Sequence, residues 1–88
     1  MSTPTDLDIR RKRLLWRSSH RGIKEMDILM GGYATREVPH MAENELAILE
    51  SLMDVPDQEL LAYATGQSNI PAHIDCPMLR AILAFRKL

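Results

Sequence analysis

The residues of this chain best suited to chemistry are an arginine and a glutamate four positions apart, with a glycine beside the arginine: Arg21, Gly22 and Glu25. The guanidinium and the carboxylate could pair with each other as a surface salt bridge, or each could bind a polar group of another molecule. Glycine has no side chain, so another backbone could approach closely there. Spacing alone favours the surface pair, because such pairs are common on helices, and both interpretations stay open at this point.

The other polar side chains show no pattern typical of an active site. His20, His40 and His73 lack the spacing of a helical metal site, and a single cysteine, Cys76, can form neither an internal disulfide nor a cysteine-based metal site. The acidic residues between positions 43 and 57 alternate with apolar ones, as on solvated helix faces. Phosphate-binding glycine loops and nucleophile motifs are also missing from the sequence. We therefore expect a protein that is not an enzyme and that binds no metal.

The net charge of −1 conceals a strong asymmetry along the chain. Residues 1–24 carry seven lysines and arginines against two acidic residues, whereas residues 25–79 carry ten acidic residues and a single basic one, Arg36. Residues 80–88 add three basic residues and no acidic one. Two explanations are open: the ends pair with the acidic middle inside the fold, or the asymmetry steers docking to a partner.

The basic run over residues 10–13, with Arg17 and the neighbouring Trp16, could also contact the phosphates and bases of a nucleic acid. Against this, the chain as a whole is slightly acidic, and its basic residues are confined to one segment and a short tail. A helical nucleic-acid-binding module is therefore the second functional hypothesis.

The composition favours helices, because 45% of the residues are hydrophobic, six are methionines and only 5% are aromatic. Helical periodicity along nearly the whole chain predicts an all-α fold, a compact single-domain bundle of about five short helices over residues 1–88, with residues 1–5 as a flexible N-terminus. No apolar run is long enough to insert into a membrane, and residues 1–9 are too acidic for a transit peptide. We expect a cytoplasmic protein.

Capping signals set the expected helix boundaries. The first three helices are expected over about residues 5–18, 21–33 and 41–53. The second of these is weakened at the Gly31-Gly32 pair. Asp54 is the expected N-cap of a fourth helix that Gly66 ends, and Asp75 is the expected cap of a fifth.

Projecting the second helix at 100° per residue separates two faces. The core face holds Ile23, Met26, Leu29, Met30 and Tyr33. Arg21, Glu25, Ile28 and Gly32 fall on nearly the opposite side, with Gly22 at its edge. An exposed isoleucine beside two opposite charges and bare glycine backbone predicts a protein-binding patch. On this interpretation, alanine at Arg21 or Glu25 should leave the melting temperature unchanged.

Residues 11–27, which read RKRLLWRSSHRGIKEMD, closely resemble the signature of the SdhE family of succinate dehydrogenase flavinylation factors. The core of that signature is Arg-Gly-x-x-Glu, here Arg21, Gly22 and Glu25, followed by an acidic residue, here Asp27.

The likeness spans about residues 10–85 and is clear again over residues 45–52 and 57–63. Tyr63 stands where the family usually has tryptophan, and Gln58 where a proline is common.

The resemblance implies a five-helix protein that binds the flavoprotein subunit of succinate dehydrogenase, or of the related fumarate reductase, and promotes covalent attachment of FAD. The flavin then belongs to the client, and this chain holds no cofactor stably, has no catalytic residue and needs neither nucleic acid nor membrane insertion. Together with the helical projection, the resemblance gives these partner-binding residues: Arg17, Arg21, Gly22, Glu25, Asp27 and Ile28.

Overall fold

The structure is a computed structural model that describes residues 5–86, in which five α-helices and one turn of 3₁₀ helix are found and no strand. The elements are α1 (Asp6–Ser19), α2 (Lys24–Glu37), the 3₁₀ turn (Val38–His40), α3 (Glu43–Leu52), α4 (Asp57–Ala64) and α5 (Pro77–Leu83). The predicted all-α fold is confirmed. Of the expected flexible N-terminus, residues 1–4 lie outside the described part of the chain, and Thr5 belongs to the cap of α1.

The start of α1 is encoded locally. The backbone N–H of Asp8 donates to the Thr5 hydroxyl at 3.1 Å, and the backbone N–H of Thr5 donates to the Asp8 carboxylate at 3.2 Å. This reciprocal capping box satisfies two amides that the helix leaves free. The hydrogen bond from the Thr5 amide is also the main reason that the pKa of Asp8 is lowered.

The second helix differs from its predicted bounds at both ends. It begins at Lys24, because Gly22 adopts a φ of +99° and reverses the chain before the helix can start. It also continues past Gly31-Gly32 to Glu37, so the expected weakening at this pair is wrong. A Cβ on Gly31 would lie 3.0 Å from the Ser19 hydroxyl of α1, so the absence of a side chain lets the two helices approach closely.

The expected caps of the last two helices are wrong. Helix α4 starts one residue after Pro56, whose carbonyl accepts from the amides of Glu59 and Leu60, and Asp54 lies outside the helix. Helix α5 is capped by Cys76, whose sulfur accepts from the Leu79 amide at 3.4 Å. Gly66 follows α4 with a φ of +78°, which agrees with the prediction that it ends this helix.

Helix α2 is the central element and packs against α1, α4 and α5. Its inner face is the predicted one, because Met26, Leu29 and Met30 are fully buried and Tyr33 is nearly so. Leucines from α1, α3, α4 and α5 complete the core around them: Leu14, Leu46, Leu49, Leu52, Leu60 and Leu79. Within residues 5–86, none of the helices has the length and apolar character needed to cross a membrane.

Candidate partner-binding site

The side chain of Arg21 points into the protein. Its Nη1 donates to the Met53 carbonyl and its Nη2 to the Val55 carbonyl, both at 2.8 Å, and its Nε donates to Asp57 Oδ1 at 2.6 Å. The side chain is only 10% exposed and that of Asp57 only 16%. Arg21 therefore joins the α1–α2 turn (residues 20–23) to the connection between α3 and α4 (residues 53–56) and to the first residue of α4.

This placement corrects the sequence prediction for Arg21. The residue precedes α2 and does not share an exposed helix face with Glu25, because the turn at Gly22 lies between them and the guanidinium reaches Asp57 instead. The backbone N–H of Arg21 also donates to Asp27 Oδ1 at 2.5 Å, which ties the turn to the first turns of α2. Arg21 is thus held on both its backbone and its side chain.

Gly22, within this turn, and Glu25, in the first turn of α2, are both exposed, and we call this exposed side the outer side of the α1–α2 turn. The nearest atom to a Cβ built on Gly22 is Asp57 Oδ2 at 4.0 Å, so space does not require glycine there. The positive φ of residue 22 does require glycine, because L residues with a side chain rarely adopt such a backbone conformation. Glu25 makes no ion pair with any residue in the range 5–86. The outer side therefore presents bare backbone beside an uncompensated carboxylate.

The other predicted site residues surround this turn. Arg17, in the last turn of α1, lies 3.8 Å from Asp54 and remains partly exposed. Asp27 accepts the Arg21 amide, and Ile28, predicted to be exposed, is half-buried. The structure thus brings Arg17, Asp27 and Ile28 to the neighbourhood of the α1–α2 turn.

A shallow groove of ≈ 390 Å³ continues from Asp27 and Ile28 along α2 towards Phe85. Gly32, predicted on the exposed face, lies beneath Phe85: a Cβ there would come within 2.3 Å of the Phe85 ring. The Arg36 guanidinium lies above that ring, 4.9 Å from its centroid. Gly32 is therefore a packing position for the segment after α5, which the helical projection of α2 alone could not reveal.

Part of the charge asymmetry is resolved within the fold. Arg10 pairs with Glu50 at 2.6 Å and Glu43 at 3.4 Å, just as Arg17 and Arg21 pair with acidic residues that follow α3. The bond from Arg10 lowers the pKa of Glu50. The explanation that the ends pair with the acidic middle therefore holds for three N-terminal arginines. Lys12, Arg13 and Lys24 form no ion pair with the described residues, so a second role for these cations is open.

Within residues 5–86, no three His, Cys, Asp or Glu side chains come together in an arrangement that could hold a metal ion. Around the α1–α2 turn, Arg17 pairs with Asp54, Arg21 pairs with Asp57, and Asp27 accepts the Arg21 amide, whereas Glu25 forms no ion pair with the described residues. This arrangement is suited to presenting a fixed surface to another molecule.

A sequence model of the family described as "Flavinator of succinate dehydrogenase" matches residues 12–86, a range that contains the whole site. This chain belongs to that family. The flavinator family consists of assembly factors for flavinylation of succinate dehydrogenase, so the family suggested by residues 11–27 is confirmed.

Individual flavinator relatives agree with this assignment. The chain is 37% identical over 78 residues to the FAD assembly factor SdhE of Acetobacter pasteurianus, an alignment that covers 89% of this chain and 72% of that protein. It is 26% identical over 78 residues to the mitochondrial succinate dehydrogenase assembly factor 2 of Dictyostelium discoideum, and 37% identical over 65 residues to that of Yarrowia lipolytica. The matches cover 55% and 45% of these mitochondrial relatives, about half their length.

Proposed function

We propose that this flavinator binds the flavoprotein subunit of succinate dehydrogenase and thereby promotes covalent attachment of FAD to that subunit. The observation that carries the proposal is the two-sided α1–α2 turn. Arg21 fixes its inner side, and Gly22 and Glu25 are left free on its outer side. A contact surface that is rigid before binding loses less conformational entropy on association, which favours affinity.

In this proposal each site residue has a defined part. Gly22 lets the client backbone approach, and the Glu25 carboxylate accepts hydrogen bonds from the client. Arg21 is a positioning residue that contacts no client atom. Arg17, Asp27 and Ile28 border the contact, and a half-buried isoleucine adds apolar area at the edge of the charged groups.

The chemistry of flavin attachment belongs to the client in this account. The flavinator supplies no catalytic group and holds no cofactor; FAD is held by the flavoprotein subunit. Binding then acts by favouring the client conformation in which the flavin bond forms, and it can shift that equilibrium only by its difference in affinity for the two conformations.

Co-expression tests the proposal directly. The flavoprotein subunit is produced with the wild-type chain, without it, or with a variant, and covalent flavin is scored by fluorescence on a denaturing gel. We expect covalent flavin to rise clearly with the wild-type chain and to fall by about tenfold with Glu25→Gln, the size of one lost charged interface contact. The flavoprotein subunit of fumarate reductase serves as a second client in the same assay.

The matched control is Glu59→Gln, because Glu59 is also an exposed glutamate in the first turn of a helix, on α4 and not on α2. It removes the same helix-dipole interaction and should leave flavinylation unchanged. Equal covalent flavin with and without the wild-type chain would overturn the proposal. The nucleic-acid hypothesis predicts instead binding to duplex DNA or RNA that weakens steeply with salt.

A further inference from the structure

The outward face of α1 carries an apolar stripe that the assembly of the fold does not use. Ile9 and Trp16 are seven residues apart and lie along one line of α1, and His20 follows Trp16 by four residues, just past the end of the helix. Trp16 is 62% exposed and Ile9 is 44% exposed. The Trp16 indole stacks on the His20 imidazole, with ring centroids 4.2 Å apart and planes 10° from parallel. The largest side chain of the protein is thus exposed at the surface, with one ring packed against it.

Two cations flank this line, and the carboxylates nearest to them already have other partners. Lys12 and Arg13 are exposed and form no ion pair within residues 5–86. Asp8, one turn before Lys12, accepts the Thr5 amide and pairs with Arg11. Glu50, whose pKa Arg13 helps to lower, is already bound by Arg10 at 2.6 Å. The face therefore keeps two cations that form no ion pair of their own with the described residues.

We propose that this face, the α1 stripe (Ile9, Lys12, Arg13, Trp16 and His20), is a second docking surface that binds an acidic segment of the flavoprotein subunit through an apolar residue laid against the indole. The inference rests on the proposed function. Charge complementarity specifies the acidic character of the segment. The stripe runs directly into the α1–α2 turn, so one client can cover both surfaces.

Trp16 and the two cations are expected to affect binding in different ways. Tryptophan is enriched among the few interface residues that dominate affinity, so Trp16→Ala should weaken binding by about tenfold or more, mainly through faster dissociation. Cations at the rim of an interface mainly steer encounter, so Arg13→Gln should slow association by about threefold at low salt and have little effect at high salt.

Biolayer interferometry with the immobilised flavoprotein subunit, lacking covalent flavin, measures both rates. Ile48→Ala is the matched control for Trp16→Ala, since Ile48 is a 40% exposed apolar residue on α3. Arg80→Gln is the control for Arg13→Gln, because Arg80 is an exposed arginine on α5 and the change in net charge is the same. Both controls should bind like the wild type. Circular dichroism of each variant should show unchanged helix content, since the substituted side chains are exposed.

The outcomes separate this inference from the proposed function. If the wild-type chain does not bind the subunit, both fail. If the wild type binds and Glu25→Gln weakens binding while Trp16→Ala and Arg13→Gln match their controls, the α1 stripe alone is rejected. It is also rejected if these two variants keep their affinity for the subunit but lose binding to phosphatidylglycerol vesicles or to duplex DNA, which would assign the face to a membrane or a nucleic acid.

Discussion

Arg21 and Glu25 stand four residues apart in one motif, yet they lie in opposite environments. The Arg21 side chain is 10% exposed, and its guanidinium donates hydrogen bonds to Met53, Val55 and Asp57, all more than thirty residues away in sequence. Glu25 is exposed, and no residue within the described range forms an ion pair with it. The inner side of the α1–α2 turn is therefore a structural anchor and the outer side a free surface.

This difference separates two ways in which a substitution in the motif can abolish function. Loss of the anchor should destabilise the protein and displace the turn, whereas loss of the Glu25 carboxylate should weaken the proposed contact with the client while stability is unchanged. Measurements of stability and of flavinylation on the same variants therefore distinguish the two sides.

The largest effect is expected for Arg21→Ala. The variant leaves two carbonyls and the Asp57 carboxylate without their donors, so we expect a loss of about 3 kcal/mol in the free energy of unfolding. For a domain of this size that is a fall of about 10–20 °C in melting temperature, measurable by circular dichroism. This expectation replaces the sequence-based one, in which the melting temperature stayed unchanged.

Arg80→Ala is the control for this variant. Arg80 also forms a two-pronged pair with an aspartate, Asp75, at 2.8 Å for both bonds, but at the exposed surface. Its loss should barely move the melting temperature, because exposed pairs are solvated and contribute little. Similar losses for the two arginines would contradict the anchor role of Arg21.

A smaller effect is expected for Gly22→Ala, and it tests the outer side of the turn. Gly22 and Gly66 both have a positive φ, +99° and +78°, and neither has an atom closer than 4.0 Å to an added Cβ. Alanine should therefore cost about 1–2 kcal/mol of stability at either position, through backbone strain. Only Gly22→Ala should also lower covalent flavin in the co-expression assay. If both variants lower it equally, the loss reflects stability alone.

The smallest effect concerns pH and involves the partly buried pair of Arg10 and Glu50, which is more exposed than the Arg21 pair. The hydrogen bond from Arg10 lowers the pKa of Glu50 below its ordinary value of 4.5, with burial opposing it. The stabilisation from this pair is therefore present above about pH 4.5 and is lost as the pH falls through the lower folded-state pKa. Glu50→Gln should show a smaller drop in melting temperature than the wild type between pH 7 and about pH 3. An identical drop would mean that this pair does not contribute.

Local signals in the sequence were enough for much of the fold. The cap of α1 needs only Thr5 and Asp8, and the inner face of α2 needs only its 3.6-residue period, so both were predictable. The prediction that α2 weakens at Gly31 and Gly32 was wrong because helix propensity is a local property. The packing of these glycines against Ser19 and Phe85 depends on distant elements. Tertiary contacts overrode propensity there.

The geometry around the Arg21-Gly22-Glu25 motif was only partly predictable from the sequence. The motif pointed to Gly22 and Glu25, and the structure leaves both exposed. The motif gave no indication that the Arg21 side chain points into the protein. Two of the Arg21 acceptors are backbone carbonyls, which have no side-chain signature in a sequence. Asp57 carried a signal, because the resemblance to the family resumes at residue 57, yet nothing local links it to Arg21.

The most direct test of the central claim is the affinity of Glu25→Gln for the purified flavoprotein subunit, measured by titration calorimetry beside Glu59→Gln. The account predicts about tenfold weaker binding for Glu25→Gln at an unchanged melting temperature, and wild-type affinity for Glu59→Gln. Wild-type affinity for Glu25→Gln would contradict it, because the outer side of the α1–α2 turn would then not be the contact surface.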